Sequence, residues 1–121
     1  MQYEEMSKAD FTEIRLQHVA WRVKLNDFLE GKKSMSEKEA TSHKACDVGK
    51  WLYSVGMKKY GEMPQVQALE KIHVELHSTV KRIIMLKQSG KILDQEEESV
   101  KLDNILRKIM FLLVDIEEKL L

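Results

Sequence analysis

Apolar residues recur at alternating steps of three and four along most of this 121-residue chain, and this spacing limits its fold more than any other feature. An α-helix has 3.6 residues per turn, so side chains at these steps share one face of a helix. No segment keeps the apolar–polar alternation of a half-buried strand. The pattern therefore predicts an all-α protein. The clearest series is Phe11, Ile14, His18, Trp21, Leu25 and Phe28.

Glycine, proline and cap residues divide this pattern into four predicted helices. The second helix is short and carries the only cysteine, and residues 31–40 before it are polar and charged and predict a loop or a frayed turn. A chain of this length suits one domain, residues 1–121, and we expect an antiparallel four-helix bundle. The predicted helices run from Ser7 to Gly31, from about Thr41 to Gly56, from Pro64 to about Gly90, and from the capping pair Asp94 and Glu97 onwards.

Helix four carries more apolar surface than one inward face needs. An apolar surface around most of a helix indicates burial on more than one side, so this excess predicts a homodimer. The inward face of helix three is Val66, Leu69, His73, Leu76, Val80 and Ile83, and that of helix four is Leu102, Ile105, Ile109, Leu112 and Ile116. The additional apolar residues of helix four are Leu106, Met110, Phe111, Leu113 and Val114.

Composition excludes several classes of function. The 20 basic and 20 acidic residues balance, so electrostatics favour neither nucleic acid nor an anionic membrane as partner. The longest apolar run, 109–114, is far shorter than the roughly 20 residues of a membrane span, and the N-terminus lacks a secretory pattern. One cysteine cannot form an internal disulfide. Together these features predict a cytoplasmic protein without membrane insertion.

Three histidines and the single cysteine form a set of side chains that suits one zinc ion. His18 lies on the inward face of helix one, and Cys46 lies on helix two. His73 and His77 are four residues apart, so they lie on one face of helix three about one turn from each other. Imidazole nitrogens and a thiolate are preferred zinc ligands, and four of them complete a tetrahedral site. The predicted ligands are thus His18, Cys46, His73 and His77.

Other interpretations of these residues remain open at the level of sequence. A single histidine on an apolar face is usually a hydrogen-bonded core residue. His43, three residues before Cys46, is a surface residue, a partner of a ligand or an alternative ligand. Glu70 and His73 match one Glu-x-x-His element of di-iron bundles, but a second element is missing. No phosphate loop or hydrolase motif occurs, and the single cysteine lacks an evident catalytic partner, so we expect no enzymatic activity.

Three strings together resemble the bacterial chemoreceptor zinc-binding domain: His18-x-x-Trp21-Arg22, Cys46-x-x-Gly49-Lys50-Trp51 and His73-x-x-x-His77. The resemblance spans nearly the whole chain. It implies a four-helix bundle that binds zinc through His18, Cys46, His73 and His77 and is typically dimeric. It also implies a partner, either separate or fused, of the chemoreceptor or diguanylate cyclase type, and two inputs: free zinc, and oxidants such as hypochlorous acid acting on Cys46.

Three functional hypotheses follow. The first is a zinc-dependent sensory or regulatory module of bacterial chemotaxis or cyclic-di-GMP signalling, in which loss of zinc or oxidation of Cys46 frees helix two. The second is a purely structural, zinc-stabilised dimerisation module. The third is a histidine phosphotransfer bundle, which the inward positions of His18 and His73 disfavour.

Overall fold

A computed structural model gives the fold and describes residues 8–32, 35–44 and 46–120. Every regular element in these ranges is helical, which confirms the all-α class. Residues 47–60 form one helical segment, because a π-helical turn, Leu52–Gly56, joins two short α-helices without interruption. The α-helices are α1 (Lys8–Leu29), α2 (Glu37–Thr41), α3 (Asp47–Trp51), α4 (Met57–Tyr60), α5 (Pro64–Gln88) and α6 (Ile92–Leu120).

The three long helices lie antiparallel to their neighbours. Three residues join α5 to α6, and the two helices pack along most of their length. Ion pairs orient α1 against α6: Arg15 near the start of α1 binds Glu117 at 2.8 Å, and Arg22 binds Asp103. Helix α3 packs on α1, and α2 packs on α5. None of the helices in the described ranges combines the length and apolarity of a membrane-spanning segment.

The inward faces predicted for helices one and three form the core. All six predicted positions of α5 are buried, and those of α1 are buried except for the half-buried Phe28. Gly31 has a φ of +93° just beyond the end of α1, and Gly90 has a φ of +72° beyond α5, so both helices stop where glycine predicted. Pro64 is the first residue of α5, as expected. Ser7, the predicted first cap, lies outside the described residues.

The region around the cysteine differs from its prediction in three ways. Part of the predicted loop forms α2, because the Ser36 hydroxyl caps it by accepting the Glu39 N–H at 3.1 Å. The cysteine helix begins only after Cys46. It also continues past Gly56, because the π-helical turn carries the backbone through this glycine to Tyr60.

Helix α6 also differs from its prediction. It begins at Ile92, so Asp94 lies within its first turn instead of capping it. Leu106 and Leu113 were assigned to a dimer surface, but both are buried inside this chain, whereas Leu112 is only half-buried. A true period of 3.6 residues shifts the buried face along a long helix relative to a fixed repeat. Phe111 remains 71% exposed.

Candidate metal centre

Helix α5 supplies two buried imidazoles to the same side of the core. His73 and His77 are four residues apart and almost fully inaccessible to solvent. Their ring centroids are 4.8 Å apart and the rings are nearly perpendicular. The i, i+4 spacing of the sequence therefore places two nitrogen ligands next to each other, as predicted.

Cys46 brings its sulfur to this pair from the start of α3. The residue is the N-cap of that helix, and its Sγ accepts the Gly49 N–H at 3.3 Å. The same Sγ lies 3.0 Å from Nε2 of His73. Extended backbone at the cap turns the side chain toward the helix N-terminus. Cys46 thus faces α5 and not solvent.

Gly49 allows this close approach. A Cβ at this position would lie 1.9 Å from the backbone carbonyl oxygen of His43 and 3.1 Å from Cε1 of His73. The first contact is with backbone, which cannot rotate away. The sequence Cys46-x-x-Gly49 therefore joins a sulfur ligand to the one residue type that fits against both His43 and His73.

Helix α2 sets the orientation of His77. Nδ1 of His77 donates a hydrogen bond to the Ala40 carbonyl at 2.8 Å, which leaves Nε2 as the nitrogen with a free lone pair. Trp21 donates its indole N–H to the Glu39 carbonyl at 3.3 Å and packs edge-on against the His77 ring. A backbone carbonyl that holds the second nitrogen of a histidine is a common arrangement around metal ligands.

The sequence interpretation missed these contacts of α2, although a signal for the helix was present. Ser36 and Glu39 have the Ser-x-x-Glu spacing of a capping box. That spacing predicts the helix, but the carbonyl groups it presents to Trp21 and His77 depend on how α2 packs against α5.

The predicted ligands do not all meet in one group. The donor atoms of Cys46, His73 and His77 lie within 4.8 Å of one another, and among the described residues these three form the group that could hold a metal ion. His18 lies outside that group. It is buried on α1, and its ring is roughly parallel to that of Trp21, with centroids 6.5 Å apart.

Burial keeps all three histidines neutral at physiological pH. Desolvation is the main cause that lowers the pKa of His73 to about 3, with smaller contributions from His77, His43 and His18. It also lowers the pKa of His77 to about 4, which the Ala40 hydrogen bond partly opposes. Desolvation, Arg22 and His77 lower the pKa of His18 to about 4. Neutral imidazole is the form that binds metal.

Two features of the Cys46–His73–His77 group suit a zinc ion: its buried nitrogen atoms without hydrogen-bond partners, and the chemical types of its donor atoms. Nδ1 of His73 and Nε2 of His77 are buried without a hydrogen-bond partner among the described residues, and such atoms are costly in an apolar core. Given the usual Zn–N and Zn–S bond lengths, donors around a tetrahedral zinc stand about 3.3–3.6 Å apart. Small side-chain movements bring the three donors to that spacing.

The family model of the chemoreceptor zinc-binding domain matches residues 18–84. This chain belongs to that family. The match covers more than half of the sequence and contains all four predicted ligands. The domain binds zinc, and Cys46, His73 and His77 are the described residues that come together as a site for it. Neither a curated protein nor a solved structure matches the chain.

Proposed function

We propose that this chain is a non-enzymatic, cytoplasmic zinc-dependent sensory module of bacterial signalling, and that His18, Cys46, His73 and His77 are its zinc ligands. The observation that carries the proposal is the buried Cys46–His73–His77 cluster with its two unpartnered imidazole nitrogens. Two buried imidazole nitrogens without hydrogen-bond partners among the described residues are unfavourable in a core, and a metal held beside the Cys46 sulfur would offer them a partner. The family match supports zinc as that metal and a signalling role for the chain.

His18 is the fourth ligand in this proposal because of its location. It is buried beside Trp21, which itself packs on His77, and it interacts electrostatically with both His73 and His77. A neutral, buried imidazole in this position would complete the donor set after an adjustment of its side chain. Four protein ligands leave no open coordination position, which disfavours hydrolytic chemistry.

The segments that carry the proposed ligands differ in how firmly the rest of the fold holds them. Helices α1 and α5 are long and anchored on α6, whereas 47–60 consists of two short α-helices flanking a π-helical turn. Zinc supplies a strong bond between Cys46 and α5. Without it, the cysteine segment retains fewer interactions than the long helices, and such segments open first. We infer that this segment is the element that responds to the signal.

Two events can release Cys46 in this proposal. One is loss of zinc when its free concentration falls. The other is oxidation of the thiolate, for example by hypochlorous acid, which converts the thiolate to a sulfenic acid and yields chloride. Cys46 borders a polar cleft of about 210 Å³ between α1 and α3, which brings small molecules to the edge of this buried residue.

The output of the module is transmitted through a second copy of the chain and through a separate or fused partner of chemoreceptor or diguanylate cyclase type. Two apolar grooves flank α6 and support a homodimer of antiparallel four-helix bundles. One groove, of about 360 Å³, is lined by Val19, Val23 and Met110, and the other, of about 590 Å³, is lined by Ile72 and Phe111. Large exposed apolar surfaces of this kind mark interaction sites.

Metal analysis of the purified protein and of its single-ligand variants tests this proposal. We expect one zinc per chain, and a reduced zinc content in Cys46→Ala and in His18→Ala. Hydrogen exchange should become faster in 47–60 when zinc is removed, while far-ultraviolet circular dichroism stays helical. Unchanged zinc content and exchange in Cys46→Ala would refute the sensory mechanism. Complete unfolding on chelation would instead favour the purely structural zinc module.

A further inference from the structure

His43 is the fourth histidine of the chain, and it lies directly outside the metal cluster. It belongs to the connection between α2 and α3 and is half-buried, whereas His73 and His77 are fully buried. Its ring centroid is 6.5 Å from that of His73, with the rings nearly perpendicular. A metal-binding side chain therefore lies between solvent and an inner member of the cluster.

The surroundings of His43 hold it in this position. Its backbone carbonyl packs against Gly49, and its ring packs edge-on against Tyr53 at 5.7 Å. Partial burial and the nearby Glu70 carboxylate raise the pKa of Tyr53 to about 12, so the phenol keeps its proton. His43 is thus fixed by a backbone contact and by an oriented aromatic ring.

The structure offers a second approach to the cluster that is less favourable for a cation. Among the described side chains, Lys24, Lys50 and Glu39 border the polar cleft that reaches Cys46. The exposed Lys50 ammonium at this cleft repels a divalent cation. His43, by contrast, offers an imidazole, and both the Lys44 ammonium and the Glu70 carboxylate lie near its neighbour Tyr53.

We propose that His43 is a transfer ligand through which zinc passes between solvent and the Cys46–His73–His77 cluster. A ligand that binds zinc on its way allows stepwise exchange, so the ion never loses all of its protein or water ligands at once. His43 then lowers the barrier to zinc entry and exit equally and leaves the equilibrium affinity unchanged. The inference rests on the proposed zinc-dependent function and adds a kinetic control to it.

Stopped-flow measurements on the full chain test the role of His43. Zinc uptake is followed after mixing with free Zn²⁺, and release is followed with a chromogenic chelator, extrapolated to zero chelator concentration. In His43→Gln and His43→Ala we expect both rate constants to fall by about tenfold, which corresponds to a barrier about 1.4 kcal/mol higher. The dissociation constant from equilibrium titration should change by less than about twofold, since both rates change together.

Two further variants distinguish zinc transfer through His43 from zinc entry through the polar cleft. Lys50→Met should leave both rate constants unchanged; faster uptake in this variant would show that zinc enters through the cleft and would overturn the proposal. Tyr53→Phe keeps the ring but loses the hydroxyl near Glu70, so the ring beside His43 is held less firmly and we expect slower exchange at unchanged affinity. This variant keeps the test decisive if His43→Ala fails to fold.

Other outcomes overturn the inference in distinguishable ways. Unchanged rates in both His43 variants show that His43 takes no part in transfer. Weaker equilibrium binding with faster release shows that His43 is a resident ligand. A wild-type chain that takes up no zinc contradicts the proposed function itself. If the wild type binds zinc normally, unchanged rates or weaker binding in the His43 variants contradict only the transfer role of His43.

Discussion

At the scale of single residues, two glycines of the cysteine segment have contrasting surroundings. A Cβ on Gly49 would collide with the His43 carbonyl at 1.9 Å. A Cβ on Gly56 would lie 3.2–3.3 Å from side-chain atoms of Leu52 and Trp51, and its backbone is helical. Alanine is favoured over glycine by up to about 1 kcal/mol within a helix. The two positions should therefore respond to the same substitution to very different degrees.

We predict that Gly49→Ala destabilises the protein by roughly 1–3 kcal/mol, the usual cost of overpacking, and weakens zinc binding. The backbone shift at His43 and the displaced His73 ring are the physical reasons. Gly56→Ala is the matched control, with an expected change within about 1 kcal/mol. Urea unfolding and zinc titration of both variants check this prediction. Equal stability losses in the two variants would contradict it.

The buried histidines also predict how stability depends on pH. Their pKa values are about 4, 3 and 4 for His18, His73 and His77, against 6.5 for ordinary imidazole. At about pH 5 the unfolded chain therefore binds about three more protons than the folded one. The free energy of unfolding of the zinc-free protein should be largest above pH 6.5 and should fall as pH is lowered toward 4.

Urea unfolding with a chelator present, repeated between pH 4.5 and 7, measures this proton uptake. In His18→Gln the uptake on unfolding should drop by about one proton. Stability that stays constant across this range would show that the three imidazoles are not buried and neutral in the folded chain.

At the scale of elements, the short helix α2 determines more of the site than its five residues suggest. Its carbonyl groups at Glu39 and Ala40 accept hydrogen bonds from Trp21 and His77. Ser36 caps it. A helix this short has little intrinsic stability, so its cap and its packing on α5 hold it in place. A substitution at the cap of α2 should therefore alter zinc binding at the metal centre.

We predict that Ser36→Ala costs about 1 kcal/mol of stability, as the loss of an N-cap usually does. It should also weaken zinc binding, because the Ala40 carbonyl then holds His77 less firmly. Ser99→Ala is a suitable control, since this hydroxyl bonds the Gln95 carbonyl on α6, far along the chain from the site. Denaturation and competitive zinc titration measure both effects. Zinc affinity unchanged in Ser36→Ala would show that α2 does not orient His77.

At the scale of the whole molecule, the surface around α6 is the part that one chain leaves uncovered. Phe111 is 71% exposed, and Val19 and Val23 are about half exposed on the neighbouring face of α1. We predict that Phe111→Glu and Val23→Glu weaken the dimer by at least about tenfold, because each places a charge in an apolar contact and such changes cost more than about 1.4 kcal/mol. Sedimentation at several concentrations checks this.

Met85→Glu is the control for the dimer variants. Met85 is 61% exposed but lies near the end of α5, away from both grooves that flank α6. The Met85→Glu variant should dimerise with the same dissociation constant as the wild type. A monomeric wild type at micromolar concentration would contradict the dimer, and it would leave the zinc centre within each chain unaffected.

The sequence by itself determined the helical class, the helix ends near Gly31 and Gly90, the helix start at Pro64, and the three residues Cys46, His73 and His77 that come together as a possible zinc site. These follow from local rules: helical periodicity, the restricted φ of proline, the freedom of glycine, and the ligand preferences of zinc. Each rule involves residues within a turn or two of one another. That is why His73 and His77 were correctly placed side by side.

Only the tertiary structure decided which distant groups meet. The capping residues of α2 could have indicated the helix, but no local pattern tells that its Ala40 carbonyl binds His77, or that Gly49 packs on the His43 carbonyl. The same holds for the burial of Leu106 and Leu113 inside one chain, and for the position of His18 beside the cluster and not within it. These outcomes depend on the angles and offsets at which whole helices pack, which sum many weak contacts over the core.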